Sequence, residues 1–310
     1  MADERRPGDM PLVSDDVSGL KLVSRSTYVK EAALKNLFLL CAFVAVAGVG
    51  LIFVFVGYRG WPIFSEVGLW KFLLGTEWLP TSGLFGILPL FVGSIVVTLG
   101  ALLLGTPLAV GAAVFLSEIA PPKVRAIVRP AIELLAGVPS VVYGFFGLLI
   151  LRPIVAQLTG GLGFGPLTAW IILAIMIVPT IATLTEDALR SIPDGVREAS
   201  YAMGATTWQT ISRVLLPAAK IGIVDAVVLG MGRAIGETMA VLMVVGNAPG
   251  FFRGAGAPIS TLTSQIVMDM PYASGMHRTA LFGMAIILFL ISMGLVFTVR
   301  VLSRMREEPS

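Results

Sequence analysis

Apolar residues run along this chain in long unbroken stretches, not in the alternation of a half-buried strand or the one-sided stripe of a soluble helix. The first, Asn36 to Val56, carries no charged side chain. It is about 20 residues long, enough to cross a hydrocarbon core roughly 30 Å thick. Further runs at 87–117, 131–157, 166–185, 218–245 and 279–302 bring the predicted membrane-spanning helices to six. Several exceed the minimum, which tilt or extension beyond the bilayer absorbs. The runs are rich in glycine and hold Pro107, Pro139 and Pro179. Such residues are costly in a soluble helix and tolerated where helices pack closely in lipid. Ahead of the runs, residues 1–34 are polar, with Pro7, Gly8 and Pro11, and read as a cytoplasmic tail. A signal peptide would place its apolar region nearer the start. Residues 35–310 then form the transmembrane domain, and the fold class is an all-α integral membrane protein.

Composition narrows the picture. Hydrophobic residues make up 56% of the chain and charged ones 13%, against roughly 45–50% and about 25% in soluble domains. So little charge cannot cover a soluble surface of this length. The one cysteine, Cys41, sits in an apolar run and rules out an internal disulfide framework. Lysines and arginines do not gather into one patch, so nucleic acid is not a partner. No residue cluster calls for a metal or a cofactor.

The distribution of basic residues orients the chain. Sixteen fall on one side: Arg5, Arg6, Lys21, Arg25, Lys30, Lys35, Lys123, Arg125, Arg129, Arg190, Arg197, Arg213, Lys220, Arg300, Arg304 and Arg306. Five fall on the other: Arg59, Lys71, Arg152, Arg253 and Arg278. Both termini are therefore expected in the cytoplasm. Trp61, Trp70, Trp78 and Trp170 fall where an outer interfacial belt would put them. Two outer loops, about 57–86 and 246–278, are longer than tight turns and mix aromatics with Gly and Pro. They read either as interfacial helices or as an outer gate and docking surface.

The fourth inner loop, 190–217, carries the most specific pattern. Pro193 and Asp194 mark a helix start, and Ala199, Ser200, Ala202 and Gly204 keep that helix thin enough for another protein's groove. Gly204 ends it or permits a turn other residues resist. Glu198, Ala199, Gly204, Val214, Leu216 and Pro217 stand at the spacing Glu-Ala-Ala, three residues, Gly, nine residues, hydrophobe, any residue, Leu-Pro. Ser200 replaces the second Ala and Val214 the usual Ile. The loop resembles the EAA loop of permease subunits in binding-protein-dependent ABC importers. The resemblance implies six helices of the importer-permease type, an ATPase dimer receiving this helix, and a second permease chain completing the pathway. The chain carries no Gly-x-x-x-x-Gly-Lys-Ser/Thr phosphate loop of its own, so it is expected not to be an enzyme.

Charges inside spans cost roughly 2.5–3.5 kcal/mol each on insertion scales and are functional candidates for that reason. The fifth run holds Asp225, Arg233 and Glu237, with Arg233 near its middle and Gly230, Gly232 and Gly236 around it. Arg233 and Glu237, four apart on a continuous helix, would share a face and could pair. They read as a structural ion pair or as part of an anion pathway, for which the guanidinium fork is suited. The segments 232–240 (GRAIGETMA) and 133–144 (ELLAGVPSVVYG) resemble the phosphate-specific transport permeases of the PstC/PstA type, and the arrangement of tail, outer loop and spans resembles the PstC type. That likeness covers about 80–303. It implies phosphate passage at Arg233 and Glu237, a PstA-type second permease, a PstB-type ATPase dimer, an extracytoplasmic PstS-type phosphate-binding protein and a bacterial inner membrane. Glu237 could accept a hydrogen bond only from an anion that keeps a proton, as hydrogen phosphate does and sulfate does not, or it could orient Arg233. Glu133 reads as a carboxylate at a helix end and His277 as an exposed loop histidine. The competing functions are a permease for molybdate, sulfate or another oxyanion, and an ATP-independent secondary transporter. Against the latter stands the lack of an evident inverted repeat of broken, charged helices.

Overall fold

Lipid offers backbone groups no hydrogen bonds, so an apolar run must satisfy its own N–H and C=O groups, and a helix does this within one segment. The computed structural model describes residues 25–304; the expected tail, up to residue 24, lies outside the described residues, as do Arg5, Arg6, Lys21 and Arg306. Helix α1 (Arg25–Ile63) continues through a π-helical turn into α2 (Leu69–Leu74). A short antiparallel hairpin follows, β1 (Trp78–Leu79) and β2 (Leu84–Phe85), with Trp78 opposite Phe85. Then come α3 (Leu88–Val114), which a π turn extends to Ile119, α4 (Pro122–Ala136), α5 (Ser140–Phe146), α6 (Arg152–Thr159), α7 (Pro166–Arg190) and α8 (Asp194–Ala202). The chain ends with α9 (Thr207–Thr210), α10 (Leu216–Ala218), α11 (Lys220–Gly236), α12 (Met239–Val244), α13 (Leu262–Asp269) and α14 (Gly275–Arg304).

Five helical stretches are long and apolar enough to cross a membrane: 33–74, 88–119, 140–159, 166–190 and 275–295. A sixth is the pair 207–218 and 220–236, bent by 70°. The described residues thus give six spans if the bent pair counts as one, and three differ clearly from the expected limits. The first runs on as helix to Leu74, through most of the expected outer loop 57–86. The third begins at Ser140 and not at 131. Pro139 disfavours helix at the residue before it, and α4 ends at Ala136, leaving Gly137–Pro139 as a break. The fifth stops at Gly236, where Glu237 turns extended (φ −69°, ψ 127°) and α12 starts afresh.

The chain divides into residues up to Val54 and residues from Phe55 onward. In the first part, side chains from Ala33 to Val54 are exposed, an apolar surface suited to lipid. The second part has three buried clusters. At its centre Ile172, Leu173, Met176, Ile177 and Ile181 of α7 pack against alanines of α3 and α11 and against Val241 and Val244 of α12. Small residues permit this: a Cβ at Gly230 would lie 2.6 Å from the Ile181 side chain. Apolar attraction adds little between helices in lipid, so such close packing carries much of the association. One end cluster joins Ile63, Phe72, Trp78, Phe85, Leu262 and Leu281. The other joins Ala113, Val114, Leu189, Ile211 and Leu215. Helix α3 begins in the former and ends in the latter, so the hairpin and α8 lie at opposite ends, separated by about 40 Å of helix at 1.5 Å per residue.

The tryptophans divide between roles. Trp61 and Trp70 are exposed as an interfacial belt requires, whereas Trp78 is buried and Trp170 donates Nε1–H to the Val96 carbonyl at 2.9 Å.

Candidate functional site

Arg233 sits in the last turn of α11, level with the middle of α7. Its Nη1 donates to Thr180 Oγ1 at 3.3 Å and its Nη2 to the Ala136 carbonyl at 3.4 Å. The neighbouring carbonyl, Leu135, accepts from the Tyr143 hydroxyl at 2.7 Å. Arg233 thus serves a carbonyl at the end of α4, where intrahelical donors run out, and Tyr143 adds a second donor to the Leu135 carbonyl, which also accepts the Val138 N–H at 3.3 Å. Both Arg233 bonds are long and go to neutral acceptors. Among the described residues no carboxylate forms an ion pair with it, so the guanidinium keeps an uncompensated charge and donors that a stronger acceptor could capture.

Glu237 does not pair with Arg233. The expected pair required one continuous helix, and the helix ends between the two residues. Instead, Glu237 Oε1 accepts the Ala240 N–H at 3.2 Å, its carboxylate lying at the start of α12, and its backbone carbonyl accepts from Thr263 Oγ1 of α13 at 3.1 Å. The residue therefore secures the break in the span. Asp225 lies two turns nearer the α8 end of α11, partly buried.

Residues 190–217 form a helical hairpin at the α8 end. Pro193 precedes α8, and Asp194 sits in its first turn. Glu198 and Ala199 are exposed on α8. Gly204 adopts φ +80° with open space around it, and the Ala205 N–H reaches back to the Ser200 carbonyl at 3.2 Å, closing a left-handed C-terminal turn. Thr206 and Gln209 then form a reciprocal capping box at the start of α9. Leu216 packs against the cluster at the α8 end, while Pro217 is exposed in α10. The five expected loop residues therefore share one hairpin but not one surface.

Several charged groups at this end escape sequence reasoning. Arg197 of α8 grips Glu118 in the π turn after α3, through Nε to Oε2 at 3.2 Å and Nη2 to Oε1 at 3.0 Å. The hydrogen bonds it donates to Glu118 hold the Arg197 pKa above its ordinary value. Arg129 of α4 donates to Glu133 at 3.1 Å, to the buried Glu186 at 3.4 Å and to Asp187 at 3.2 Å. Its bond with Glu133 likewise raises its pKa. Glu133 itself is exposed, as expected of a helix-end carboxylate. Arg129 and Arg197 look like ordinary loop charges, since their partners lie up to 79 residues away. Glu186, beside the end of an apolar run, was the one group that a search for charges in spans could have found.

At the hairpin end a cavity of about 810 Å³ is lined by Glu66, Trp78, Gln265, Asp269 and His277 among others. Asp269 Oδ2 meets Trp78 Nε1 at 2.9 Å, Gln265 Nε2 at 3.0 Å and His277 Nε2 at 3.1 Å. His277 is thus not an exposed histidine. Its side chain is 23% accessible because it packs edge-on against Trp78 while facing Asp269.

Known proteins resemble this architecture closely. The family model described as the binding-protein-dependent transport system inner membrane component matches residues 105–307. A probable ABC transporter permease protein of Bacillus subtilis, YqgH, is 40% identical over 274 residues, covering 86% of this chain and 89% of its own. The phosphate transport system permease protein PstC of Pasteurella multocida is 36% identical, covering 76% and 79%. Among solved structures, a chain of a bacterial ABC transporter that imports the polysaccharide alginate superposes with TM-score 0.61 at 15% identity, over 91% of this chain and all of that one. The family match extends from the middle of α3 through the broken fifth span and α14, and with it the chain belongs to the inner membrane components of binding-protein-dependent transport systems.

Proposed function

We propose that this chain is the permease subunit of an ATP-driven importer of inorganic phosphate, forming one half of the translocation pathway around Arg233. As a member of its family it is a multi-pass bacterial membrane protein and a transport subunit. The observation that carries the substrate reading is the uncompensated guanidinium of Arg233 in the last turn of α11, level with the middle of α7 and beside the break in the span. A charge within a span costs roughly 2.5–3.5 kcal/mol on insertion scales, and among the described residues no ion pair offsets it. An oxyanion meeting the guanidinium fork would gain charge-assisted hydrogen bonds in place of two long neutral ones. Relatives named as phosphate transport permeases favour phosphate over other oxyanions. A PstA-type second permease completes the pathway, a PstB-type ATPase dimer docks on α8, and a PstS-type binding protein delivers phosphate at the hairpin end. Glu237 contributes by holding α12 and the break in place.

The test is phosphate uptake by the assembled transporter carrying Arg233→Gln. Loss of the charge should lower uptake about tenfold or more, equivalent to at least about 1.4 kcal/mol, with assembly intact and with Arg233→Lys retaining part of the rate. Uptake by Arg233→Gln at the parent rate overturns the site. Competition by molybdate or sulfate as effective as that of unlabelled phosphate overturns the substrate.

A further inference from the structure

Helix α8 buries none of its side chains. Where apolar packing would anchor it there is instead a cavity of about 540 Å³, lined by Val196, Ala199, Met203 and Val214 among others. Only Arg197 and Ser200 of α8 turn their side chains to the bundle in polar contact. Ser200 Oγ meets Thr210 Oγ1 at 2.9 Å, which links α8 only to the next helix of its own hairpin. The tie to the spans is Arg197.

That one guanidinium gathers three elements. Two of its nitrogens hold the two oxygens of Glu118 at the end of α3. Its Nη1 also donates to the Ile192 carbonyl at 2.7 Å and its Nη2 to the Leu189 carbonyl at 2.9 Å, satisfying backbone groups where α7 runs out. Nη1 reaches Asp194 at the start of α8 at 3.3 Å. The pair is largely withdrawn from water, with side chains 17% and 8% accessible, so screening is weak and the bidentate geometry is rigid. Glu118 is fixed in turn by Ser117 Oγ, and the carbonyls of Leu116 and Ser117 are held by Arg125 of α4 at 2.6 and 2.7 Å. Without the clamp, α8 would swing between Pro193 and Gly204.

We infer that the Glu118–Arg197 clamp is the joint that makes α8 move as one body with the inner ends of α3 and α7, so that displacement of α8 by the ATPases becomes displacement of the spans. The inference rests on the reading of α8 as the ATPase-facing helix. Arg197 and Glu118 are positioning residues here; neither touches substrate.

The experiment uses the complete transporter in proteoliposomes, in a Cys41→Ala parent, with phosphate uptake and ATP hydrolysis stimulated by the loaded binding protein both recorded. ATP-driven uptake by the parent is the measure of the proposed function itself. The clamp is judged separately, from phosphate moved per ATP relative to that parent. Glu118→Cys with Arg197→Cys should lower this ratio about tenfold, within the range of a coupling free energy lost between two sites. Bridging the two cysteines with a short bismaleimide should restore most of the ratio, because a covalent tether replaces the joint. Glu118→Gln, which keeps shape and a neutral acceptor, should fall between, and it serves if the double variant fails to assemble. A parent-like ratio in the untethered double variant or in Glu118→Gln overturns the inference. So does a tether that leaves transport blocked, since the clamp would then have to open during each cycle.

Discussion

Glu186 is fully buried near the end of α7, and its two oxygens are treated unequally. Oε1 faces Arg129 at 3.4 Å and Arg190 at 3.5 Å, while Oε2 has no partner. An orphaned buried acceptor costs about 1–3 kcal/mol. Its two arginine partners keep 31% and 47% of their side chains accessible, so water can serve them if the carboxylate is lost. The asymmetry sets the relative size of two substitutions. Glu186→Gln removes a buried charge and leaves Arg129 with Glu133 and Asp187, so stability should change by less than about 1 kcal/mol, in either direction. Arg129→Gln strips the buried carboxylate of one of its two cations and should cost about 2–3 kcal/mol, on the lower side of what breaking a buried pair costs. Thermal unfolding in detergent would compare the two. A larger loss for Glu186→Gln than for Arg129→Gln would mean that the carboxylate, not its burial, governs this site. Arg233 faces the opposite circumstance: a half-buried charge whose hydrogen-bond partners are neutral.

At the level of elements, the hairpin of α8 and α9 depends on one backbone conformation. Gly204 holds φ +80°, and nothing lies within 4 Å of where its Cβ would stand. A substitution there cannot clash, so its effect must come from the backbone. Asparagine tolerates the left-handed region and a β-branched residue does not, at roughly 1–3 kcal/mol of strain. Gly204→Asn should therefore transport close to the parent, while Gly204→Val should insert normally and lose ATP-coupled uptake or ATPase association. Equal transport by the two would make the loop a mere connector. This turn was legible in the sequence because glycine spacing and helix-start residues are local signals. The break before α5 was missed, because 131–157 reads as one run, although Pro139 and the charges Lys123, Arg125, Arg129 and Glu133 along α4 are signals against an apolar span there. The break at Glu237 was not legible, since an acidic residue four places after an arginine reads as a helical pair. Only the contacts of its carbonyl with Thr263 and of its carboxylate with α12 reveal the extended residue. The Glu118–Arg197 and Asp269–His277–Trp78 contacts were equally hidden, because they join positions that only the folded bundle brings together.

For the whole molecule the open question is which end faces the cytoplasm, and the folded structure sharpens it. Lys123, Arg125, Arg129, Arg190, Arg197, Arg213 and Lys220 all lie on segments at the α8 end, while Arg59, Lys71, Arg152, Arg253 and Arg278 lie towards the hairpin end. Several of the former are consumed internally: Arg125 by carbonyls, Arg129 and Arg197 by carboxylates. That does not weaken the orientation argument. The bias acts on lysines and arginines during insertion, before tertiary partners exist, and acidic residues contribute little to it. The α8 end should therefore be cytoplasmic, which also puts α8 where a soluble ATPase could reach it. Cysteines introduced one at a time into the Cys41→Ala background test this at exposed sites. Thr76 and Ala248 lie towards the hairpin end, Ala126 and Thr207 at the other. A membrane-impermeant maleimide added to intact spheroplasts should label Thr76→Cys and Ala248→Cys. It should reach Ala126→Cys and Thr207→Cys only after the membrane is opened. Labelling of the second pair in intact spheroplasts would invert the topology and, with it, remove α8 from any ATPase in the cytoplasm.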